Sequence, residues 1–508
     1  MLHENITTYA PYALALYLIY IATIVTYRLT LHPLARVPGP LLARVSYFYE
    51  YYHDLYHLGQ FAFKLRDLHR EYGPIVRVNP NEVHIHDPNF AATLYGRSHG
   101  RADKPRHGAE TFGPFPAAIS TASHDLHRLR RNALNPFFSR KSVADLVPAM
   151  THAIDLMCER LQEASRIGEL VNLKYIYAAV TSDIINDYCF AREPTKVLEK
   201  DWGQRFFDDI DSFLEVSLLN FHIPFIMRLS FALPDSVNKM LAPAMAGMLD
   251  FRKGLGHQID AIRHGKDKSY DGIGHRTVLH ELLSSSLPSE ERKTPRLRDE
   301  AFTLVVAGSG TTAYCLRNTT YHISANPSIQ ARLHAELASA IPDPSNPPAS
   351  LLSTLDNLPY LTAVIKEGLR LSSPVTHRLP RIFPEKALIY GPHIIPSGTT
   401  ISMTINEWHE DETIFPDPYR FNPDRWLGED NGKSLDPYLV PFSKGSRMCL
   451  GMHLAMAEMY LILGMVFRRF AFDVRRVDRE RDVDVAFAFI LAAQRRDSPG
   501  LVAGVTEV

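Results

Sequence analysis

The sequence predicts a mainly α-helical α+β protein with small β-sheets, preceded by one membrane-spanning helix. Three observations predict it. Helical periodicity dominates residues 124 to 330, and from residue 385 the pattern changes to short strands and proline-rich loops. At the N-terminal end, Ala10 to Tyr27 runs for 18 residues without a charge.

The elements follow in chain order. APYALALYLIYIATIVTY, residues 10–27, is near the lower length for crossing a bilayer, and its tyrosines suit the interface. Only Glu4 precedes it, whereas Arg28 and Arg36 follow, so the positive, cytosolic side is C-terminal. This divides the chain into a lumenal segment 1–9, an anchor 10–27, a proline-rich hinge 28–40 containing RVPGP, and a cytosolic body 41–508. A cleaved signal peptide is the alternative, but neither a basic n-region nor a small-residue cleavage site is evident. Asn5 heads a lumenal glycosylation sequon close to the membrane; Asn318 heads another, on a helix expected to be buried. FAFKLRDLHREY (61–72) reads as an amphipathic helix, and the next residues hold the strands IVRV and EVHI around the turn NPN. A long coil runs from Glu407 to Pro441, and a helix resumes at Gly451.

Bulk composition excludes little. With 45% hydrophobic and 22% charged residues the chain can bury a large core, and a net charge of -1 provides no reason to expect nucleic acid. Its four cysteines, at 158, 189, 315 and 449, form no CxxC pair, which argues against a structural zinc site or a disulfide framework.

One of those cysteines stands in PFSKGSRMCLG, where Phe442, Gly445, Arg447, Cys449 and Gly451 spell FxxGxRxCxG between a coil and a helix. A thiolate there would meet backbone N–H groups and the positive end of the following helix. The glycines would let the backbone approach a flat cofactor, and Arg447 could meet a carboxylate. On this motif the sequence resembles the cytochrome P450 family of haem-thiolate monooxygenases. The resemblance implies that Cys449 is the axial ligand of haem (iron protoporphyrin IX), and that its electron donation favours O–O cleavage.

Three further motifs extend it. KEGLR puts Glu367 and Arg370 on one helix face, and FNPDRW contributes Arg425. By resemblance these three form a buried ionic network that supports the cysteine loop. FTLVVAGSGTTAYCL (302–316) is an apolar helix interrupted by glycines, a local weakness that can mark a widened turn. The resemblance places it across the distal haem face, with Thr311 holding the water that protonates bound oxygen. The family usually has an acid just before that threonine, whereas this chain has Gly310; proton delivery would fall to Thr311, with Thr312, Ser309 and water. HRLRRNALNPFFS (127–139) resembles the family's Trp-x-x-x-Arg helix, with His127 in the tryptophan place. Its implied haem-propionate contacts are His127 and Arg131, joined by Arg381 of HRLPR, while Arg128 and Arg130 point elsewhere, toward an acidic reductase.

The similarity runs along essentially the whole chain, and YRLTLHPLARVPGP and YGPIVRVNPNEVHI look like fungal trichodiene-oxygenase-like members of secondary metabolism. It implies the helix-rich cytochrome P450 fold, in a catalytic body on the cytosolic face of the endoplasmic reticulum. The implied reaction is insertion of one oxygen atom from O2 into a lipophilic terpenoid or polyketide. No GxGxxG follows a strand, so NADPH electrons must come through a separate protein, NADPH–cytochrome P450 reductase, with cytochrome b5 as an optional second donor. The pocket walls implied are Phe112, Phe115, Val306, Ala307, Val375, Thr376 and Phe489, with Thr311. Two other readings stay open: a reductase-independent haem-thiolate isomerase or dehydratase, motivated by Gly310, and a non-catalytic haem-binding membrane protein.

Overall fold

The computed structural model describes residues 2–96, 100–241, 246–428, 430 and 432–508. The side chains of residues 2–8, the sequon's Asn5 among them, lie outside the described residues. The chain groups into two compact units, Met1–Pro105 with Arg378–Thr404, and Arg106–His377 with Ile405–Val508.

The first unit begins with helix α1 (Leu2–Thr30), of which Tyr9–Thr30 is long and apolar enough to cross a membrane. Helix α2 (Phe61–Tyr72) has the bounds its periodicity predicts, and it buries Phe61, Leu65 and Leu68 against Val76 and Val78. Those valines belong to β1 (Ile75–Asn79), which pairs antiparallel with β2 (Glu82–Ile85) around the predicted turn. With β3 (Arg381–Ile382) and β4 (Thr400–Ser402) they form one sheet in the order β1-β2-β4-β3. Arg378 pairs with both Glu50 and Glu82 of β2, all three buried.

The second unit is a helical stack. Its main members are α3 (His124–Leu134), α4 (Leu173–Phe190), α5 (Gln204–His222), α6 (Thr294–Ser324), α7 (Pro359–Ser372) and α8 (Met452–Arg469). Helix α4 is buried along most of its length because it lies against α6; Tyr177 Oη meets Thr320 Oγ1 at 2.8 Å and Thr181 Oγ1 donates to Ser309 O at 2.7 Å. A hairpin of Phe487–Phe489 and Leu491–Ala493 turns at Ile490, which has φ 75°. The widened turn that the glycines of α6 could mark is absent, and the helix is continuous for 31 residues. Along this stretch Ser309 Oγ and Thr311 Oγ1 donate back to Val305 O and Ala307 O, and Gly308 packs closely against Ile185.

Candidate functional site

The cysteine loop is a tight reversal. Ser443 and Gly445 have φ of 60° and 78°, and the Cys449 N–H donates to Phe442 O at 2.9 Å, closing the loop just before α8. The loop thus needs its glycine, and it delivers Cys449 to the N-terminus of a long apolar helix. Cys449 is solvent-accessible whereas the other three cysteines are buried. Burial in the surrounding protein nevertheless pushes its thiol pKa up, against the Gly451 N–H and the nearby Arg131, which both pull it down. The helix-end stabilisation expected of a thiolate is therefore present but outweighed by burial, and a coordinated metal cation is what would ionise this sulfur.

Behind the loop stands Glu367, 0% exposed, which takes Arg370 Nε at 3.0 Å and Nη2 at 2.8 Å, and Arg425 Nε at 3.0 Å. The structure thus brings Glu367, Arg370 and Arg425 together. Arg370 also donates to the carbonyls of His409 and Pro418, pinning the coil between α7 and the cysteine loop. His409 continues the path: its Nε2 accepts the Val440 N–H at 3.0 Å, next to the loop's first residue. Burial, with Arg370 beside it, pushes the His409 pKa down to about 3, so the ring is neutral and Nε2 is free to accept.

Helix α3 meets the same loop. Arg131 Nη1 donates to Met448 O at 2.9 Å and Nη2 to Cys449 O at 3.3 Å, and His127 is buried on the same helix. Arg447 donates to Thr121 O and Ala122 O, each at 2.8 Å, joining the loop to the segment that leads into α3. One expectation fails here. Arg130 does not face outward toward a partner: it is buried and makes a two-pronged pair with Glu291 at 2.8 and 2.9 Å, because α3 packs that face inward. Arg128 is exposed. Arg381 belongs to the first unit, buried with its guanidinium over the Tyr95 ring and Nη1 donating to Pro380 O.

A cytochrome P450 family model matches residues 40–497. The chain belongs to the cytochrome P450 family. It is 40% identical over 455 residues to the cytochrome P450 monooxygenase tpcC of Cochliobolus heterostrophus, covering 88% of this chain and 86% of that protein. It is 36% identical to the N-acetyltryptophan 6-hydroxylase ivoC of Emericella nidulans, across 96% of each. A third relative, the tryptophan 6-hydroxylase fscE of Fusarium equiseti, is 36% identical over 93% of this chain and 92% of that protein. As a cytochrome P450 the chain is an oxygen-incorporating oxidoreductase that uses haem with a cysteine thiolate and takes electrons from an external reductase.

The residues present fit that cofactor. The accessible thiol is a soft ligand suited to iron, and cationic Arg131 and Arg447 flank it for carboxylates. A Cβ added at Gly451, beside the thiol, or at Gly310, on α6, meets no atom within 4 Å, so both glycines border open space. On α6, Ala307 is exposed and Val306 and Thr311 are partly so. Val375 and Thr376 are partly exposed and tied to the hairpin tip, with the Thr376 N–H on Ile490 O at 3.1 Å. Phe112 keeps some surface. Phe115 and Phe489 do not: at 3% and 4% exposure they are committed to packing, Phe115 in a cluster with Phe213 and Phe302.

Sequence reasoning missed several groups. Trp426 donates Nε1–H to Glu367 at 2.9 Å; FNPDRW contained it, but only its arginine was read. Glu300 takes the Ala118 N–H at 3.0 Å and Arg296 at 2.6 Å, holding the segment before α3. His409 had no usable signal.

Proposed function

We propose that this cytochrome P450 hydroxylates or epoxidises a lipophilic intermediate of fungal secondary metabolism. The observation that carries this is the accessible Cys449 thiol, held before α8 by a loop anchored through Glu367, Arg370 and Arg425. Haem, when bound there, would supply dioxygen activation, and the Cys449 thiolate would donate electron density to it. Cys449 Sγ would hold the iron, and Arg131, His127 and Arg447 would hold the propionates. Thr311, whose Oγ1 bonds to Ala307 O at 2.9 Å, and the neighbouring Thr312 would hold and pass protons. Val306, Ala307, Val375, Thr376 and Phe112 would line the substrate side, with Phe115 and Phe489 backing them. The apolar lining supports a terpenoid or polyketide, and the two tryptophan-type hydroxylases among the relatives support an indole-bearing substrate as well. The body 41–508 acts as the catalytic domain, on the cytosolic face of the endoplasmic reticulum, behind the anchor 10–27 and hinge 28–40. Its electron donor is NADPH–cytochrome P450 reductase, with cytochrome b5 as an optional second donor.

The test is a ferrous–CO spectrum followed by turnover. The red-shifted thiolate band should form in the natural protein and vanish in Cys449→Ala; an unchanged band in the variant would sink the ligand assignment. Product should require NADPH and reductase and gain one oxygen atom. An isobaric product formed without reductase would favour the isomerase reading that Gly310 motivates, and a thiolate band without any turnover would favour a haem-binding role.

A further inference from the structure

The first turns of α6 carry two neighbouring buried acids, Asp299 and Glu300, at 1% and 2% exposure. Both act on the segment 115–122 that leads into α3, one through an arginine and one directly. The two carboxylate oxygens of Glu300 share the Ala118 N–H, at 3.0 and 3.3 Å. Glu300 also pairs with Arg296 at 2.6 Å, Arg296 with Glu291 at 2.8 Å, and Glu291 with both prongs of Arg130. Arg130 Nη1 then donates to Thr121 Oγ1 at 2.9 Å, so the chain of charges returns to the segment it started from. It is a closed ring, and none of its four charged members is more than 9% exposed. Asp299 works from the side: it takes Arg252 Nε at 2.7 Å and Nη2 at 3.0 Å, and that guanidinium lies 4.8 Å above the Phe115 ring. Apolar residues of similar volume commonly replace such buried pairs without loss of stability, so stability alone gives no reason for these charges. What the ring fixes is position. At one end of the segment the Phe115 ring stands 5.4 Å from that of Phe302, one turn before Val306 on α6. At the other end Thr121 O and Ala122 O hold Arg447 of the cysteine loop, each at 2.8 Å.

We propose that Glu300 is a positioning residue of this enzyme: by holding the Ala118 N–H it sets how close the segment 115–122 lies to α6, and so the room for substrate beside Phe112, Val306 and Ala307. This rests on the monooxygenase reading. Glu300 touches neither substrate nor cofactor in this role and acts through the backbone alone. Apolar contacts such as those of Phe115 are non-directional, whereas a hydrogen bond fixes both distance and angle. A carboxylate holds a backbone N–H more strongly than a neutral acceptor does, and Arg296 fixes the carboxylate in turn. The ring thereby gives an apolar wall a defined place.

The test uses the full-length protein, the variant Glu300→Ala, and a double variant, Arg296→Met with Glu300→Leu, which removes the pair without stranding a charge. Two azoles that ligate haem iron serve as probes: imidazole, and 4-phenylimidazole, whose phenyl ring must fit the substrate side. Both are titrated by the shift of the Soret band. In either variant the thiolate CO band should persist and the imidazole Kd should stay within about twofold, while 4-phenylimidazole should bind roughly 10-fold more weakly. The Ala118 amide should also exchange with solvent deuterium faster than in the natural protein. Natural affinity for 4-phenylimidazole overturns the proposal, since the segment then keeps its place without Glu300. Parallel weakening of both azoles overturns it too, because a merely structural role would move them together. An unchanged Ala118 exchange rate does the same, and that measurement reads out even in a variant that takes up no haem. Failure of the monooxygenase reading is distinguishable, because it would show in the natural protein as a missing thiolate band or turnover without NADPH.

Discussion

A carboxylate at zero exposure survives only when its lone pairs are met, and Glu367 meets five donors: two from Arg370, and one each from Arg425, Trp426 and the Asn422 N–H. Arg370 spends the rest of its guanidinium on carbonyls of the coil that ends at the cysteine loop. Arg370→Ala should therefore do two things at once, leaving buried charge and freeing the coil. A loss of about 3–5 kcal/mol is expected, read by thermal unfolding, with haem content falling in parallel. Arg370→Lys should not rescue it, since a lysine cannot fork between Glu367 and two carbonyls. Haem content equal to the natural protein's in either variant would show that the network does not support the loop.

At the scale of elements, the two glycines of α6 should behave oppositely although they are two residues apart. A Cβ at Gly308 would come within 2.9 Å of Ile185 Cγ1, whereas one at Gly310 meets nothing. Gly308→Ala should destabilise by about 1–3 kcal/mol through overpacking. Gly310→Ala should stabilise by up to about 1 kcal/mol from helix propensity alone. Denaturant midpoints of the two variants check this; equal shifts would contradict the packing. Helix α4 carries a pH-dependent tie. Burial pulls the His275 pKa down, but its hydrogen bond to Asp187 at 3.1 Å, the charge of that carboxylate and the Arg276 carbonyl together more than offset this and raise it above its ordinary 6.5. A raised histidine contributes stability that is complete below the unfolded-state value and is lost as pH rises through the folded one. Stability should hence fall across the range just above pH 6.5, and His275→Gln should flatten that part of the profile.

At the scale of the whole molecule, the anchor is built into the first unit. Arg77, 0% exposed, donates to Arg28 O at the end of α1 at 2.8 Å and to Pro80 O at 2.8 Å. Burial, with Arg44 and Arg28 nearby, pulls its pKa down to about 10, so its acceptors matter. Arg28 in turn donates to Val45 O at 2.5 Å. A chain beginning at residue 25 should keep the natural stability, whereas one beginning at residue 32 removes both contacts. That deletion should cost about 1–3 kcal/mol for the stranded buried donor. Equal melting temperatures for the two would show that the anchor's end is not part of the unit's structure.

Much of this was legible because it rests on short-range chemistry. The apolar anchor, the period of Phe61–Tyr72, the turn between β1 and β2, and the glycine-framed Cys449 are local patterns, and local backbone physics reads them directly. The joining of Glu367, Arg370 and Arg425 in one network was legible only through the resemblance to the family, since spacing by itself says little about them. What only the tertiary structure decided concerns which face of an element is buried. Arg130 looked like a surface cation and is instead sealed against Glu291, 161 residues away. His409 is held as a neutral acceptor because burial desolvates the ring and the charge of Arg370 opposes its protonation. Residue type and spacing determine what a side chain can do; desolvation and distant partners, which no local pattern encodes, determine what it does.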